Sequence, residues 1–219
     1  MGTRAGDTKE RAWIHERFPQ ILIASGLYPS EAENPRMIDR LDLLTVDLNT
    51  FPVAALGEIG LDYHWNYATP KLQKDLFSNQ IQIANHYDLP IIIHNRKADQ
   101  SVSEILKANR PEFGGIMHCF SSDYSFAKMS IDDGFYISFA GNISYKGSQA
   151  IRDTAQRIPL DRLLVETDSP YLSPQKVRGQ TNHPGHIGYI YQEIAALRGI
   201  DLERLITAVR DNFYSLFIV

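Results

Sequence analysis

Six short runs of aliphatic and β-branched residues recur along the chain, and stretches with helical character separate or follow them. The runs occupy residues 21–25, 53–58, 90–94, 115–119, 135–139 and 163–168. Most of them are almost continuously apolar, which is typical of parallel strands covered on both faces. Helical patterns occupy residues 72–87, 102–109, 124–133, 149–157, 187–197 and 202–216. This alternation predicts an α/β fold with a parallel sheet.

Four of the predicted strands end in a side chain that can bind a metal ion: Glu58, His94, His118 and Asp168. In a (β/α)₈ barrel the carboxyl ends of the strands converge on the active site. A doubly wound sheet more often carries a glycine-rich phosphate loop, and no G-x-G-x-x-G occurs here. We therefore predict a TIM-barrel-like (β/α) fold. Such a barrel typically takes eight strands and about 250 residues, so six strands in 219 residues indicate that two strands are lacking.

The four strand-end side chains have the chemistry of a metal site. Two imidazoles and two carboxylates suit Zn, Mn or Mg ions, and a buried carboxylate is costly without a cation. Each residue also has a structural alternative. Either histidine could be a hydrogen-bonded core residue, Asp168 could cap the following turn, and Glu58 could pair with Arg96. The recurrence of such residues at four strand ends favours the metal site.

Four cationic side chains follow predicted strand ends, on the side where a substrate would lie. They are Arg96, Lys146, Lys176 and Arg178. The planar fork of arginine matches the oxygens of a phosphate group. These residues could therefore bind phosphate, with ordinary solvated surface charges as the alternative.

The charge balance excludes a generally basic nucleic-acid-binding surface. The chain has 22 Lys and Arg against 26 Asp and Glu, a formal net charge of −4, so a nucleic-acid substrate would need a local basic patch or metal ions. The single cysteine, Cys119, excludes an internal disulfide. No apolar run approaches the ~20 residues of a membrane span, and the N-terminus is too polar for a signal peptide. We expect a cytoplasmic protein with no membrane partner, folded as one domain over residues 1–219.

Four motifs occur in order along the chain. They are Gly-Glu-Ile-Gly-Leu-Asp-Tyr from Gly57, Ile-His-Asn-Arg from Ile93, Met-His-Cys-Phe-Ser from Met117, and Glu-Thr-Asp-Ser-Pro-Tyr-Leu from Glu166. With these motifs the chain resembles the TatD family of metal-dependent deoxyribonucleases, within the amidohydrolase superfamily. The segments Phe-Ala-Gly-Asn-Ile-Ser-Tyr-Lys and Arg-Gly-Gln-Thr-Asn-His-Pro also fit. The resemblance runs from about Gly2 to the C-terminus.

The resemblance implies a hydrolase that cleaves phosphodiester bonds of DNA with divalent metal ions. By this resemblance Glu58 would bridge two metal ions, and His94 and His118 would hold one of them. Asp168 would contact the metal and the attacking water, from which it would accept a proton. The catalytic residues would then be Asp168 and Glu58. The residues that would steady the phosphate are Arg96, Lys146 and Arg178.

The chain departs from the family's pattern at its N-terminal side. The family's first strand carries Asp-x-His-x-His, whose histidines hold the second metal ion, and no His-x-His occurs in this sequence. Residues 1–7 look like the loop after the family's second strand. We therefore expect a chain that begins inside the domain, lacks the first two barrel strands and keeps protein ligands for one metal ion. Tyr28, in Gly-Leu-Tyr-Pro, stands where the family usually has histidine.

These departures leave two other hypotheses open. The chain could be a catalytically inactive remnant of the family, or a related metal-dependent hydrolase that acts on another substrate. A sheet that lacks two strands also has exposed edges, which can pair with another chain. We therefore also expect self-association through these edges.

Overall fold

The computed structural model describes residues 1–4 and 6–217. Ala5, Ile218 and Val219, which belong to the predicted domain 1–219, lie outside the described residues. The chain divides into two compact units, Met1–Ile116 and Met117–Val219, called unit 1 and unit 2 below. The organisation as a single domain stays a prediction.

Unit 1 alternates helices and strands along the chain. Its strands are β1 (Ile23–Ser25), β2 (Val53–Asp62), β3 (Ile91–Arg96) and β4 (Gly115–Met117), of which the last residue belongs to unit 2. Its helices are α1 (Thr8–Arg17), α2 (Met37–Thr50), α3 (Pro70–His86) and α4 (Asp99–Ala108), with a 3₁₀ helix at Pro29–Glu33. Strand β2 pairs in parallel with both β1 and β3.

Strand β2 is buried along most of its length. Every residue from Ala55 to Asp62 is buried, as expected for a parallel strand covered on both faces. The register with β3 shifts between Gly57 and Ile59, and beyond this irregularity Gly60 lies opposite His94. Such a shift changes which side chains of one strand meet those of its neighbour.

Helix α3 fixes the carboxyl end of β2. The helix begins after Thr69, whose hydroxyl oxygen accepts the N–H of Leu72 at 3.4 Å, and Pro70 occupies its first turn, where proline is favoured. Gln73 in the same turn donates to the carbonyl oxygen of Asp62 at 3.0 Å and accepts the Asp62 N–H at 2.9 Å. Both backbone groups of a fully buried residue are thereby satisfied.

Unit 2 contains four helices and two further strands among its described residues. The strands are β5 (Phe135–Phe139) and β6 (Leu163–Val165), which pair in parallel. The helices are α5 (Tyr124–Asp132), α6 (Gln149–Arg157), α7 (Ile187–Arg198) and α8 (Leu202–Phe217). Short 3₁₀ helices occupy Gly141–Ser144, Leu160–Arg162, Gln175–Val177 and Pro184–His186. Asn212 of α8 donates to the carbonyls of Leu160 and Leu163 at 2.9 and 2.8 Å, which ties this helix to the start of β6.

The structure confirms the predicted α/β fold with six parallel strands. The strands lie at the six predicted runs, and their sheet order follows their order in the chain. The sequence patterns predicted neither α1 nor α2. In the described part of the chain, no helix combines the length and the apolar character needed to span a bilayer.

Two strands end earlier than predicted. Strand β4 ends at Met117 and β6 at Val165, so His118 and Asp168 lie in the segments that follow these strands. Cys119 has a φ of 46° and Asp168 a φ of 54°. This left-handed conformation is incompatible with extended pairing, which explains why the strands cannot continue to residues 119 and 168.

Candidate functional site

Unit 1 brings two predicted site residues into direct contact. Nδ1 of His94 lies 2.9 Å from Oε1 of Glu58, and its Nε2 lies 3.0 Å from Oδ2 of Asp62. The two carboxylates are buried, Glu58 at 8% exposure and Asp62 at 0%. Buried carboxylates need such partners because their charge is costly away from water. The three side chains form the unit 1 cluster: Glu58, Asp62 and His94.

The backbone of β2 and β3 makes this cluster possible. Gly60 pairs with His94 across the two strands and has a φ of +134°. A Cβ atom at position 60 would overlap the carbonyl oxygen of His94. Only glycine combines this conformation with so close an approach of two backbones.

Asp62 is a further member of the cluster, and it lies beyond the predicted strand 53–58. It is the last residue of β2, and its Oδ1 accepts the backbone N–H groups of His64 at 2.9 Å and Trp65 at 3.1 Å. Burial acts to raise the pKa of Asp62, but the hydrogen bonds from His94, Trp65 and His64 outweigh it and lower the pKa to about 2. The carboxylate is therefore ionised at neutral pH, which suits a metal ligand.

Tyr28 completes the surroundings of His94. Its hydroxyl donates to Oδ2 of Asp62 at 3.3 Å and lies 3.1 Å from Nε2 of His94, and the rings of Tyr28 and His94 are 4.8 Å apart. Burial, followed by the charges of Glu58 and Asp62, raises the pKa of Tyr28, so its hydroxyl keeps its proton. The residue that replaces the family's histidine thus contacts the unit 1 cluster directly.

The pKa of His94 reflects both its burial and its partners. Burial acts to lower this pKa, but the hydrogen bonds to Asp62 and Glu58 together raise it above the ordinary value of 6.5. In the absence of metal the two carboxylates therefore stabilise the protonated imidazole, in which both nitrogens donate to carboxylates.

Unit 2 brings together the other two predicted ligands. Nε2 of His118 lies 3.4 Å from Oδ1 of Asp168. On the other side of the ring, Nδ1 lies 2.9 Å from Oε2 of Glu166, and the same oxygen accepts the hydroxyl of Ser138 at 2.8 Å. A carboxylate behind a histidine fixes the ring's orientation and tautomer. His118, Glu166 and Asp168 form the unit 2 cluster.

Glu166 and Asn182 are positioning residues that the sequence analysis did not assign. Glu166 shares the alternation of Asp168 along the predicted strand, which is the sequence signal that could have identified it. Asn182 is buried, and its Nδ2 donates to the carbonyls of Thr167 at 2.7 Å and Tyr171 at 2.6 Å. It thereby holds the backbone on both sides of Asp168, a contact between distant loop residues that no local pattern reveals.

The three predicted phosphate-binding residues are exposed, and two of them contact aromatic rings. The guanidinium carbon of Arg96 lies 5.6 Å from the centre of the Trp65 ring in unit 1. That of Arg178 lies 4.3 Å from the centre of the Tyr145 ring in unit 2. Lys146 is exposed in the loop after the 3₁₀ helix Gly141–Ser144. Their placement leaves the charged groups accessible to a ligand.

The donor chemistry of both clusters suits a divalent metal ion. The 3.4 Å between His118 Nε2 and Asp168 Oδ1 is about the separation of two ligands that each lie ~2.1 Å from a tetrahedral ion. Both nitrogens of His94 lie close to carboxylates, so coordination by His94 would replace one of these contacts. Among the described residues, no group of three or more His, Cys, Asp or Glu side chains is already arranged to hold a metal ion.

Comparison with known proteins gives the family. The family model described as TatD related DNase matches residues 1–218. The chain is 37% identical over 210 residues to YabD of Bacillus subtilis, named an uncharacterized metal-dependent hydrolase, with 92% of this chain and 79% of the relative covered. It is also 37% identical over 216 residues to YcfH of Escherichia coli K12, which carries the same description, with 98% and 80% covered.

A solved structure supports the same assignment. The fold is similar to the crystal structure of YjjV, a TatD homolog from Escherichia coli K12, with a TM-score of 0.93 and 30% identity. The similarity covers 100% of this chain and 85% of that one. It confirms the predicted TIM-barrel-like hydrolase fold class. The chain therefore belongs to the TatD-related DNase family.

Proposed function

We propose that this chain, a member of a family of metal-dependent hydrolases, cleaves phosphodiester bonds of DNA. The observation that carries the proposal is the pairing of imidazole with carboxylate at the predicted ligand positions. Glu58 pairs with His94 in unit 1, and His118 pairs with Asp168 in unit 2. The proposed compartment is the cytoplasm, in keeping with the single cysteine of the chain.

The proposed metal ligands are Glu58, His94, His118 and Asp168. A bound divalent ion would polarise the scissile phosphate and lower the pKa of a water molecule. Asp168 is partly exposed, with 24% of its side chain accessible, so it can reach such a water and accept its proton. Glu166 occupies the Nδ1 side of His118, so His118 would hold the ion through Nε2. Mg, Mn and Zn are all compatible with this mixture of oxygen and nitrogen donors.

The exposed cations are proposed to bind the substrate's phosphates. Arg96, Lys146 and Arg178 would neutralise the charge of the DNA backbone locally, which a chain with a net charge of −4 requires for nucleic-acid binding. The guanidinium groups of Arg96 and Arg178 each lie over an aromatic ring. The N–H groups at the edge of that plane stay available for phosphate oxygens.

The proposal is tested by measuring metal content and DNA cleavage on the same preparation. A fluorescently labelled oligonucleotide is incubated with the purified chain and Mg, Mn or Zn, with and without EDTA. We expect metal-dependent cleavage that Asp168→Asn and Glu58→Gln each reduce at least about a hundredfold. Asp161→Asn changes an exposed aspartate of the 3₁₀ helix Leu160–Arg162 and is the matched control. Cleavage that survives in the Glu58→Gln preparation would point to a contaminating nuclease.

Two other outcomes correspond to the alternative hypotheses. A chain that binds metal and leaves DNA intact but hydrolyses other esters would be a related hydrolase with another substrate. A folded chain that neither retains metal nor hydrolyses any ester would be a catalytically inactive member. Either outcome overturns the proposed deoxyribonuclease activity.

A further inference from the structure

The loop between β2 and α3 presents an exposed tryptophan next to the unit 1 cluster. Trp65 is 51% exposed. Its ring packs edge to face against His64, with ring centres 4.7 Å apart, and the guanidinium of Arg96 lies 5.6 Å from its centre. These three residues form one continuous surface of unit 1, which we call the tryptophan platform: His64, Trp65 and Arg96.

Hydrogen bonds of the loop backbone hold the tryptophan platform in place. Oδ1 of Asp62 accepts the N–H groups of His64 and Trp65 at 2.9 and 3.1 Å, and the N–H of Tyr63 donates to the carbonyl of Arg96 at 2.9 Å. Any residue except proline could supply these N–H groups. The loop conformation therefore does not depend on an indole at position 65, and half of a large apolar ring is left in water.

The same carboxylate connects the platform to the proposed metal ligands. While Oδ1 of Asp62 holds the loop, its Oδ2 lies 3.0 Å from Nε2 of His94. A phosphate bound near His94 would therefore lie close to the backbone of Trp65, and Arg96 follows His94 by two residues on β3. A nucleotide offers a flat aromatic base next to its phosphate, and aromatic side chains and arginine planes stack on any of the four bases.

We infer that the tryptophan platform is a base-stacking subsite. Trp65 stacks on the base next to the scissile phosphate, and Arg96 supports the ring and binds the adjoining phosphate oxygens. This inference rests on the proposed function, since it assumes a nucleic-acid substrate. It adds a recognition element for the base itself, so the nucleotide is oriented by stacking as well as by metal and phosphate contacts.

Tryptophan fluorescence tests the stacking directly. The chain has two tryptophans, and Trp13→Phe leaves Trp65 as the single reporter; Trp13 lies on α1. Oligothymidylate of about eight nucleotides, a length within the range of single-strand binding sites, is added in EDTA to prevent cleavage. We expect quenching of Trp65 by this probe and none by an abasic oligonucleotide of the same length. Equal quenching by both probes, or no quenching by either, would overturn the subsite.

Cleavage rates provide an independent readout. The ratio of kcat/KM for the thymidine strand to that for the abasic strand is measured with metal present. A stacking subsite predicts a ratio of about ten for the wild-type chain, close to one for Trp65→Ala, and intermediate for Trp65→Phe. The ratio compares two substrates on one enzyme, so a partly unfolded variant does not distort it, and Trp13→Phe serves as the control with an unchanged ratio.

The outcomes separate this inference from the proposed function. If the wild-type chain cleaves both strands equally, or Trp65→Ala keeps the wild-type ratio, phosphodiester hydrolysis stands and the subsite is wrong. If the chain cleaves neither strand, the proposed function fails, and the fluorescence titration still decides whether Trp65 stacks on bases.

Discussion

The two histidines at predicted ligand positions differ in how their ring nitrogens are occupied. His118 has Glu166 at Nδ1, and its Nε2 lies 3.4 Å from Asp168, beyond good hydrogen-bond distance. His94 has a carboxylate within 3.0 Å of each nitrogen. Binding of a metal ion through either nitrogen of His94 must therefore displace one of these two contacts.

Glu166→Gln is expected to weaken metal binding without unfolding the chain. The amide has the same shape but lacks a negative charge next to Nδ1 of His118. Loss of such a partner typically weakens metal affinity about 10- to 100-fold. Competition of the protein with a chelating dye for Zn measures this affinity. Glu203→Gln, at an exposed position in the first turn of α8, is the control, and equal affinities in the two variants would contradict the role of Glu166.

The raised pKa of His94 predicts how stability depends on pH in the metal-free protein. Because the folded-state pKa lies above the ordinary value of 6.5, the folded state holds this proton more tightly than the unfolded state. The stabilisation is complete below about pH 6.5 and is lost as the pH rises through the folded-state value. Urea unfolding in EDTA should therefore show a free energy of unfolding that falls as the pH rises above about 6.5. His94→Gln should remove this part of the dependence; an unchanged pH profile in that variant would disprove it.

At the scale of secondary structure, the close contact of β2 with β3 depends on one glycine. Gly60→Ala would place a Cβ against the carbonyl oxygen of His94 in a backbone conformation with φ of +134°. We expect the free energy of unfolding to fall by about 3 kcal/mol. Gly188→Ala is the matched control, since a Cβ there meets nothing within 4 Å and helix α7 should gain about 0.5–1 kcal/mol. Urea unfolding of both variants decides the matter, and equal effects would show that the approach at Gly60 is not tight.

The strands were predictable because their burial leaves a simple sequence pattern. The helices α1 and α2 were not predicted. Strands such as β2 are buried on both faces and read as continuous apolar runs. In α1 the only buried residues among those described are Thr8 and Ala12, while Trp13 is 61% exposed. The apolar side chains of this helix thus do not mark its inner face, and its periodicity gives no helical signal.

In the candidate site too, local sequence patterns predicted some features, whereas contacts between residues far apart in the chain could not be predicted. The predicted strand 53–58 placed Glu58 at a strand end, and the structure brings both Glu58 and Asp62 to His94. The local pattern could not show that β2 extends as far as Asp62, because this depends on Gln73 of α3 satisfying the backbone of that residue. The hold of Glu166 on His118 likewise joins residues 48 positions apart, which no local sequence pattern encodes.

At the scale of the whole molecule, self-association stays a prediction, and the surface of unit 1 indicates which residues would take part in it. In the sheet order β1 stands at the end, and a strand in that position can pair with another chain. The residues before it include exposed apolar side chains: Trp13 at 61%, Phe18 at 44% and Ile21 at 44%. Exposed apolar side chains next to a strand at the end of a sheet favour association.

Sedimentation velocity over a range of concentrations tests this prediction. We expect a mass above the 24.9 kDa of one chain that increases with concentration. The double variant Phe18→Ser with Ile21→Lys should shift the distribution towards the monomer, because it removes apolar surface and adds charge next to the edge. Phe113→Ser, at a residue 41% exposed after α4, is the control. A monomer at every concentration would rule out self-association.

The way Asp62 anchors the β2–α3 loop has a consequence for variation among related sequences. The carboxylate accepts hydrogen bonds from the main-chain N–H groups at positions 64 and 65. These hydrogen bonds do not depend on which side chains stand at the two positions. Substitutions there can accumulate or be engineered without disturbing the buried acid or the histidine beside it. The side chains at these two positions can therefore vary while Asp62 and His94 keep their places. With a base stacked on Trp65 as inferred above, such variation would change the preferred substrate without changing the reacting groups.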